Sequence, residues 1–184
     1  MGRVLSFAAC VLAASVASAT VLVPAEFREI VAGSEVIAYA RIIDVRPEWA
    51  EGRRWIDTVV TADVMSYFKG GDERTVTFKV PGGTLGRYRS VFVGAPVFER
   101  GDEAVLFFKP RDGETLNVFG VNQGVFRVRV DERTGQRMVV PPVMATGPAE
   151  TPQAVTRGAA ERKPLPFAEF GARVREVMAA KGAR

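Results

Sequence analysis

The stretch IDTVVTADVM at residues 56–65 decides the fold class of this chain. Alternate positions carry apolar or β-branched side chains, namely Ile56, Thr58, Val60, Ala62 and Val64. The polar side chains between them are Asp57, Thr61 and Asp63. Because successive side chains of a strand point to opposite faces of a sheet, this period of two predicts a β-strand with one buried face.

The segment before this strand predicts its partner. Residues 36–45 form a nearly continuous apolar run, and Pro47 with Glu51-Gly52 predicts the turn that ends it. Two strands joined by so short a connection pair as an antiparallel hairpin. We therefore predict that this hairpin is the first unit of the fold.

Short apolar runs separated by glycine and proline turns continue along the chain. The further predicted strands cover residues 75–80, 90–93, 104–108, 116–119, 125–130 and 138–140. Strands do not alternate with long helical segments, so a parallel βαβ sheet is not expected. The pattern predicts a mainly β domain over residues 20–141, a small antiparallel barrel of seven or eight strands, with a sandwich as the alternative.

Helical patterns flank the predicted strands. Pro24, the acids after it and Gly33 predict a short N-terminal helix. Residues 142–164 are rich in proline, alanine, glycine and threonine, which predicts a flexible linker. Residues 165–184 predict an amphipathic C-terminal helix. We expect this helix to dock on the barrel, and contact with a partner or a membrane surface is the alternative.

The N-terminus has the pattern of a removable export signal over residues 1–19. Arg3 supplies the positive charge, residues 4–16 are apolar, and the small residues before Thr20 predict cleavage between Ala19 and Thr20. A retained membrane anchor or acylation of Cys10 is the alternative. The pattern predicts an exported protein, either periplasmic or extracellular.

Cleavage leaves a chain without histidine or cysteine, because the sequence has no histidine and Cys10 is its single cysteine. This composition excludes disulfides, zinc sites with the usual ligands, Ser-His-Asp triads and thiol catalysis from the mature form. We predict no catalytic residue, metal or cofactor. A carboxylate enzyme is the remaining catalytic alternative, and its candidate acids are Asp44, Glu48, Glu51, Asp57 and Asp63.

The positive charge of the chain is concentrated near its end. The whole sequence carries +4, and residues 157–184 contain seven basic and three acidic residues. Arg3 adds one more positive charge, which leaves residues 20–156 at −1. Electrostatic attraction to anionic surfaces therefore belongs to the C-terminal segment. With an electrically balanced core in an exported protein, nucleic acid is not an expected partner.

A glycine-rich segment at residues 82–87 precedes the strongest candidate binding residues. It lacks the Lys-Ser/Thr ending and the following helix of a phosphate-binding loop. Arg87, Tyr88 and Arg89 follow these glycines and predict an exposed basic and aromatic loop. The other candidates for partner binding are Trp49, Arg53, Arg54, Trp55 and Tyr67. For the two tryptophans, cross-strand packing within their own hairpin is the alternative.

The chain resembles two groups of proteins. A short helix, residues 36–42 and residues 58–70 are similar to the OB-fold module of the netrin and tissue-inhibitor-of-metalloproteinase class. Residues 80–83, 94–98 and 101–108 resemble uncharacterised exported bacterial β-barrel proteins. The resemblance spans about residues 26–130 and implies an OB-like barrel.

The resemblance does not carry over the mechanism of the inhibitors. Those inhibitors use an N-terminal cysteine that reaches the protease zinc, whereas the predicted mature start here is Thr20-Val21-Leu22. We expect an exported non-enzymatic binding module that recognises a protein, such as an extracellular enzyme, or an envelope glycan. A structural envelope protein that uses its basic C-terminal helix is the alternative.

Overall fold

The computed structural model describes residues 24–111, 115–142 and 163–182. The predicted export signal with its cleavage site between Ala19 and Thr20 lies outside these residues, as does most of the predicted linker. The described chain contains two α-helices, a short 3-10 helix and ten strands. The helices are α1 (Phe27–Gly33) and α2 (Phe167–Gly182). The strands are β1 (Val36–Trp49), β2 (Ile56–Lys69), β3 (Thr75–Pro81), β4 (Gly83–Leu85), β5 (Tyr88–Ser90), β6 (Glu103–Arg111), β7 (Thr115–Val118), β8 (Val125–Val130), β9 (Arg137–Val140) and β10 (Leu165–Pro166).

Five of the strands close into a barrel. Their order is β1-β2-β3-β7-β6, and pairing of β6 with β1 completes the ring. The pairing of β3 with β7 is parallel, and the other pairings in the ring are antiparallel. The predicted mainly β barrel with a short N-terminal helix and a C-terminal helix is therefore confirmed. Its parallel contact differs from the prediction and arises because the chain crosses one end of the barrel between β3 and β6.

The predicted hairpin of β1 and β2 forms the longest pairing of the barrel. Each strand has 14 residues, and their register runs from Ile37 opposite Lys69 to Trp49 opposite Ile56. The register shifts three times, which bends the pair so that it can curve around the barrel. Pro47 lies within β1, so its predicted place in the turn was wrong. A proline is tolerated there because β6 pairs with β1 only over Val36–Arg41.

Residues 37–40 of β1 and residues 104–108 of β6 are buried on both faces, and the two strands separate two hydrophobic clusters. Ala40, Ile42 and Leu106 point into the barrel cluster. Ile37 and Phe107 point away from the barrel into a second cluster. The double burial explains why residues 37–40 and 104–108 are continuous apolar runs, since over these residues neither strand has a face towards water.

The second cluster is covered by the two α-helices and by β8 and β9. The ring of Phe27 on α1 contacts Phe107, Phe126 and Phe170, with ring centroids 6.2, 5.8 and 5.4 Å away. Phe170 and Val174 of α2 are buried in this cluster. The C-terminal helix therefore docks on the outer side of the barrel wall with its apolar face.

A lysine fixes the end of the short helix α1. The Lys69 ammonium donates to the carbonyl oxygen of Val31 at 3.1 Å and to that of Ser34. A cation at this position satisfies carbonyls that the helix leaves free and complements its dipole. The last residue of β2 therefore ties α1 to the barrel.

The glycine after Lys69 cannot be replaced without a collision. Gly70 has φ +54°, and a Cβ atom on it would lie 2.4 Å from the carbonyl oxygen of Glu35. Gly135 has a similar φ of +67° but open space around its Cβ position. We predict that Gly70→Ala costs roughly 2 kcal/mol more unfolding free energy than Gly135→Ala, because only the former adds overlap to backbone strain. Urea unfolding of the two variants measures the difference, and equal losses would contradict the prediction.

Candidate functional site

The predicted binding residues lie in two loops at one end of the barrel. Trp49 ends β1, and Arg53 and Arg54 lie in the connection to β2. The connection is closed by a hydrogen bond from the amide of Ala50 to the carbonyl oxygen of Trp55 at 2.9 Å. Arg53 has φ +53°, a left-handed conformation that is uncommon for an arginine. These residues form a tight loop with exposed guanidinium groups.

The second loop is the small hairpin of β4 and β5. Its strands pair from Gly83 opposite Ser90 to Leu85 opposite Tyr88, with a turn at Gly86-Arg87. The side chains of Arg87, Tyr88 and Arg89 are exposed, as predicted from their position after the glycines.

Three hydrogen bonds fix this hairpin to the start of β2. The amide of Gly82 donates to the carbonyl oxygen of Ile56 at 3.0 Å. The hydroxyl of Thr58 donates to the carbonyl oxygen of Gly82 at 2.7 Å, and the amide of Ile56 donates to the hydroxyl of Ser90 at 2.9 Å. These bonds attach the hairpin to the end of the barrel.

Close packing of Gly83 against β2 leaves no room for a side chain. A Cβ atom there would lie 2.8 Å from the hydroxyl oxygen of Thr58 and 3.0 Å from a methyl carbon of Ile56. The glycine allows β4 to lie directly on β2. This packing accounts for the glycine without a phosphate-binding role.

Trp49 and Tyr88 bring the two loops together. Their ring centroids are 5.3 Å apart with an interplanar angle of 64°. The Arg87 guanidinium lies 5.0 Å from the centre of the Tyr88 ring and donates to its hydroxyl oxygen at 2.8 Å. Edge-to-face and cation–π contacts of this kind hold aromatic rings in fixed orientations. Trp49 thus packs against the second loop, while Trp55 and Tyr88 stay 51% and 48% exposed.

The arginines of these loops are not neutralised by ion pairs in the described part of the chain. None of its ion pairs includes Arg53, Arg54, Arg87 or Arg89. The acid within the first loop is Glu51, which is also exposed. The barrel end is therefore locally basic although the core of the chain is balanced.

An apolar segment after β5 extends this surface and was missed as a candidate. Residues 90–93 were predicted as a strand, but β5 ends at Ser90. Val91, Phe92 and Val93 are 72%, 53% and 83% exposed. A Cβ atom on Gly82 would lie 3.5 Å from the backbone nitrogen of Phe92, so the segment passes the base of the hairpin. We use the name loop surface for the exposed residues 53–55, 87–89 and 91–93 together with Trp49.

A signal for the missed segment was present in the sequence. Val91, Phe92 and Val93 are three consecutive apolar residues that stand directly before the breaker Gly94-Ala95-Pro96. A half-buried strand would alternate apolar with polar residues, and this run does not.

Tyr67 does not belong to the loop surface. It lies near the opposite end of β2 and donates its hydroxyl hydrogen to the carbonyl oxygen of Glu73 at 2.8 Å. Burial, followed by the charges of Glu73 and Asp72, raises the pKa of Tyr67. We assign it a structural role at the β2–β3 turn.

The candidate acids of a carboxylate enzyme lie mostly in ion pairs along the strands. Asp44 contacts Arg46 at 2.9 Å and Arg100 at 3.1 Å. Glu48 contacts Lys79 at 2.7 Å, and Asp63 contacts Arg74 at 3.6 Å. Within residues 24–111, 115–142 and 163–182, no group of three or more acidic, histidine or cysteine side chains is placed to hold a metal ion.

A network of hydrogen-bonded titrating groups joins β1 to β6. The Tyr39 hydroxyl donates to Glu103 at 2.5 Å, and Arg41 donates to the other oxygen of that carboxylate at 2.6 Å. Burial, together with the bond to Glu103, raises the pKa of Tyr39 to about 12. Burial opposes ionisation of Glu103, but the hydrogen bonds from Tyr39 and Arg41 outweigh it and lower its pKa. The Tyr39 ring packs on Phe167 of α2 at 4.5 Å, so this trio supports the second cluster.

Comparison with models of known protein families and with curated protein sequences gave no match. Neither α-helix in the described part of the chain has the length and apolar character needed to cross a bilayer.

The Glu103 network predicts an acid-sensitive contribution to stability. A carboxylate whose pKa is lowered in the folded state stabilises above its ordinary pKa, here 4.5, and loses that contribution as the pH falls through the folded value. We expect Glu103→Gln to flatten the loss of unfolding free energy below pH 4.5. The exposed Glu132 supplies the control Glu132→Gln, which should keep the wild-type slope. Urea unfolding across the acid range tests this, and an unchanged slope in Glu103→Gln would refute it.

The tight contact at Gly83 predicts that the hairpin position depends on it. We expect Gly83→Ala to push β4 away from Thr58 and to weaken the ring contact between Trp49 and Tyr88. Thr84→Ala alters the neighbouring exposed position and should leave that contact intact. The nuclear Overhauser effect between the two rings is the measurement. A signal that persists in Gly83→Ala would show that the hairpin tolerates the added methyl group.

Proposed function

We propose that this chain is an exported, non-enzymatic binding module that recognises another exported protein or an envelope glycan through the loop surface. The observation that carries the proposal is the contact of Trp49 with Tyr88 at 5.3 Å. It joins two loops that are distant in sequence into one surface, which carries exposed aromatic rings and unpaired arginines.

The barrel architecture supports an OB-type assignment. Its ring order β1-β2-β3-β7-β6, with a parallel contact between β3 and β7, fits a five-stranded Greek-key barrel. OB barrels bind ligands on strand faces and on the loops beside them. The β1–β2 connection, which carries Arg53 and Arg54, is such a loop. Likeness to the netrin and tissue-inhibitor class supports this assignment at the level of the fold.

The composition of the loop surface supports recognition. Aromatic rings and arginines are the side chains most often found at the energetic centre of binding interfaces. Here Trp49, Tyr88 and Arg87 are held in place by contacts with one another. A pre-formed arrangement lowers the entropy cost of binding.

The loop surface is a better candidate than the C-terminal helix. The apolar side chains Phe170 and Val174 of that helix are buried against the barrel wall. Insertion of this face into a membrane would require the helix to leave the second cluster. Export itself is supported by the pattern at residues 1–19.

Affinity capture with the exported form of the chain tests the proposal. The immobilised wild type is compared with a variant in which Arg87, Tyr88 and Arg89 are all alanine, and with Arg53→Ala combined with Arg54→Ala. We expect proteins or glycans of the exported fraction to be retained by the wild type and lost from both variants.

The matched control removes two cations elsewhere. Arg28 on α1 and Arg133 in the β8–β9 turn are exposed, and their joint change to alanine should leave retention at the wild-type level. Thermal unfolding checks that all variants are folded. Equal retention by the loop variants, or loss with the control pair, would contradict recognition by the loop surface.

A further inference from the structure

The chain that follows the apolar part of the loop surface is anchored to the barrel by Phe98. Phe98 inserts into the barrel cluster, where its ring lies 5.5 Å from that of Phe78. The Arg127 guanidinium lies 5.2 Å from the centre of the Phe98 ring and donates to the carbonyl oxygen of Val97. Asp102 also binds Arg127, at 2.6 Å. The chain is therefore fixed directly after Val97, close to the exposed residues 91–93.

The exposed aliphatic side chains favour a protein partner over a glycan. A sugar is recognised by ring stacking and by hydrogen bonds to its hydroxyl groups. Val91 and Val93 offer neither, yet they are among the most exposed large apolar side chains of the described chain. Burial of such side chains against another apolar surface is favourable by the hydrophobic effect.

The charges of the loop surface define the partner further. The same loops contain four exposed arginines, Arg53, Arg54, Arg87 and Arg89, and one acid, Glu51, so the surface attracts carboxylates. A second copy of this chain would bring the same arginines towards one another, and this repulsion disfavours self-association through the surface.

The backbone at this place can accept an extended chain. β5 pairs with β4 along one edge, and no other described strand pairs with it. An unpaired strand edge offers amide and carbonyl groups to an added strand.

We propose that the loop surface binds an extended protein segment that carries acidic side chains towards one end and apolar side chains towards the other. The segment adds to the free edge of β5, its apolar side chains cover Val91 and Val93, and its carboxylates pair with Arg87 and Arg89. This inference rests on the proposed function and narrows it to one class of partner.

Two blocked peptides of equal length serve as probes. One has glutamates in one half and leucine or phenylalanine in the other half, and the second peptide has lysine in place of glutamate. Each is titrated to millimolar concentration into the isotope-labelled exported form of the chain, and amide chemical shifts are followed by NMR. We expect the acidic peptide to shift the amides of residues 87–93 and the basic peptide to leave them unchanged.

Two variants separate the apolar from the charged contribution. Val91→Ser with Val93→Ser removes exposed methyl groups, and we expect an affinity loss of about tenfold for the acidic peptide. Arg87→Gln with Arg89→Gln should weaken binding and remove most of its dependence on salt. Arg28→Ala with Arg133→Ala is the control and should bind like the wild type.

The outcomes distinguish this inference from the proposed function. Failure of the acidic peptide to shift residues 87–93, or equal shifts with the basic peptide, would overturn the inference. If envelope oligosaccharides shift Trp49 and Tyr88 while the acidic peptide does not, the binding module stands and its partner is a glycan. If the acidic peptide shifts α2, and neither it nor the oligosaccharides shift the loop surface, both proposals are wrong.

Discussion

The structure depends on the burial of residues 37–40 of β1 and residues 104–108 of β6 on both faces of the sheet. One face of each strand fills the barrel and the other supports a second cluster beneath the helices. Ile37 and Phe107 therefore support the docking of α1 and α2, while Ile42 and Leu106 fill the barrel. Because the sequence has a single cysteine and can form no intramolecular disulfide, stability rests on this double packing.

The doubly buried wall gives the barrel end a firm base. Hydrogen bonds at Ile56, Thr58 and Gly82 attach the β4–β5 hairpin to β2, which is part of this barrel. The buried side chain of Phe98 attaches the chain after the exposed valines to the barrel cluster. Loops on a rigid frame can hold side chains in fixed positions while their sequences are free to serve recognition.

Charge is distributed differently on the barrel wall and on the loop surface. Along the strands, Asp44, Glu48 and Asp63 are neutralised by basic neighbours. At the barrel end the arginines have no such partners among the described ion pairs, and they stand beside exposed apolar side chains. A surface that combines unpaired charge with apolar area is typical of binding. The loop surface is thus the part of the described barrel most suited to a partner.

The sequence by itself determined the strands β1 to β3 and β6 to β9, the first hairpin and both helices, because alternation, helical spacing and turn residues are local signals. It also placed Arg87, Tyr88 and Arg89 on an exposed loop. Only the tertiary structure decided that Trp49 meets Tyr88, that β3 runs parallel to β7, and that the end of a predicted strand is an exposed apolar segment. These features depend on contacts between residues far apart in the chain, and local patterns carry no information about such pairs.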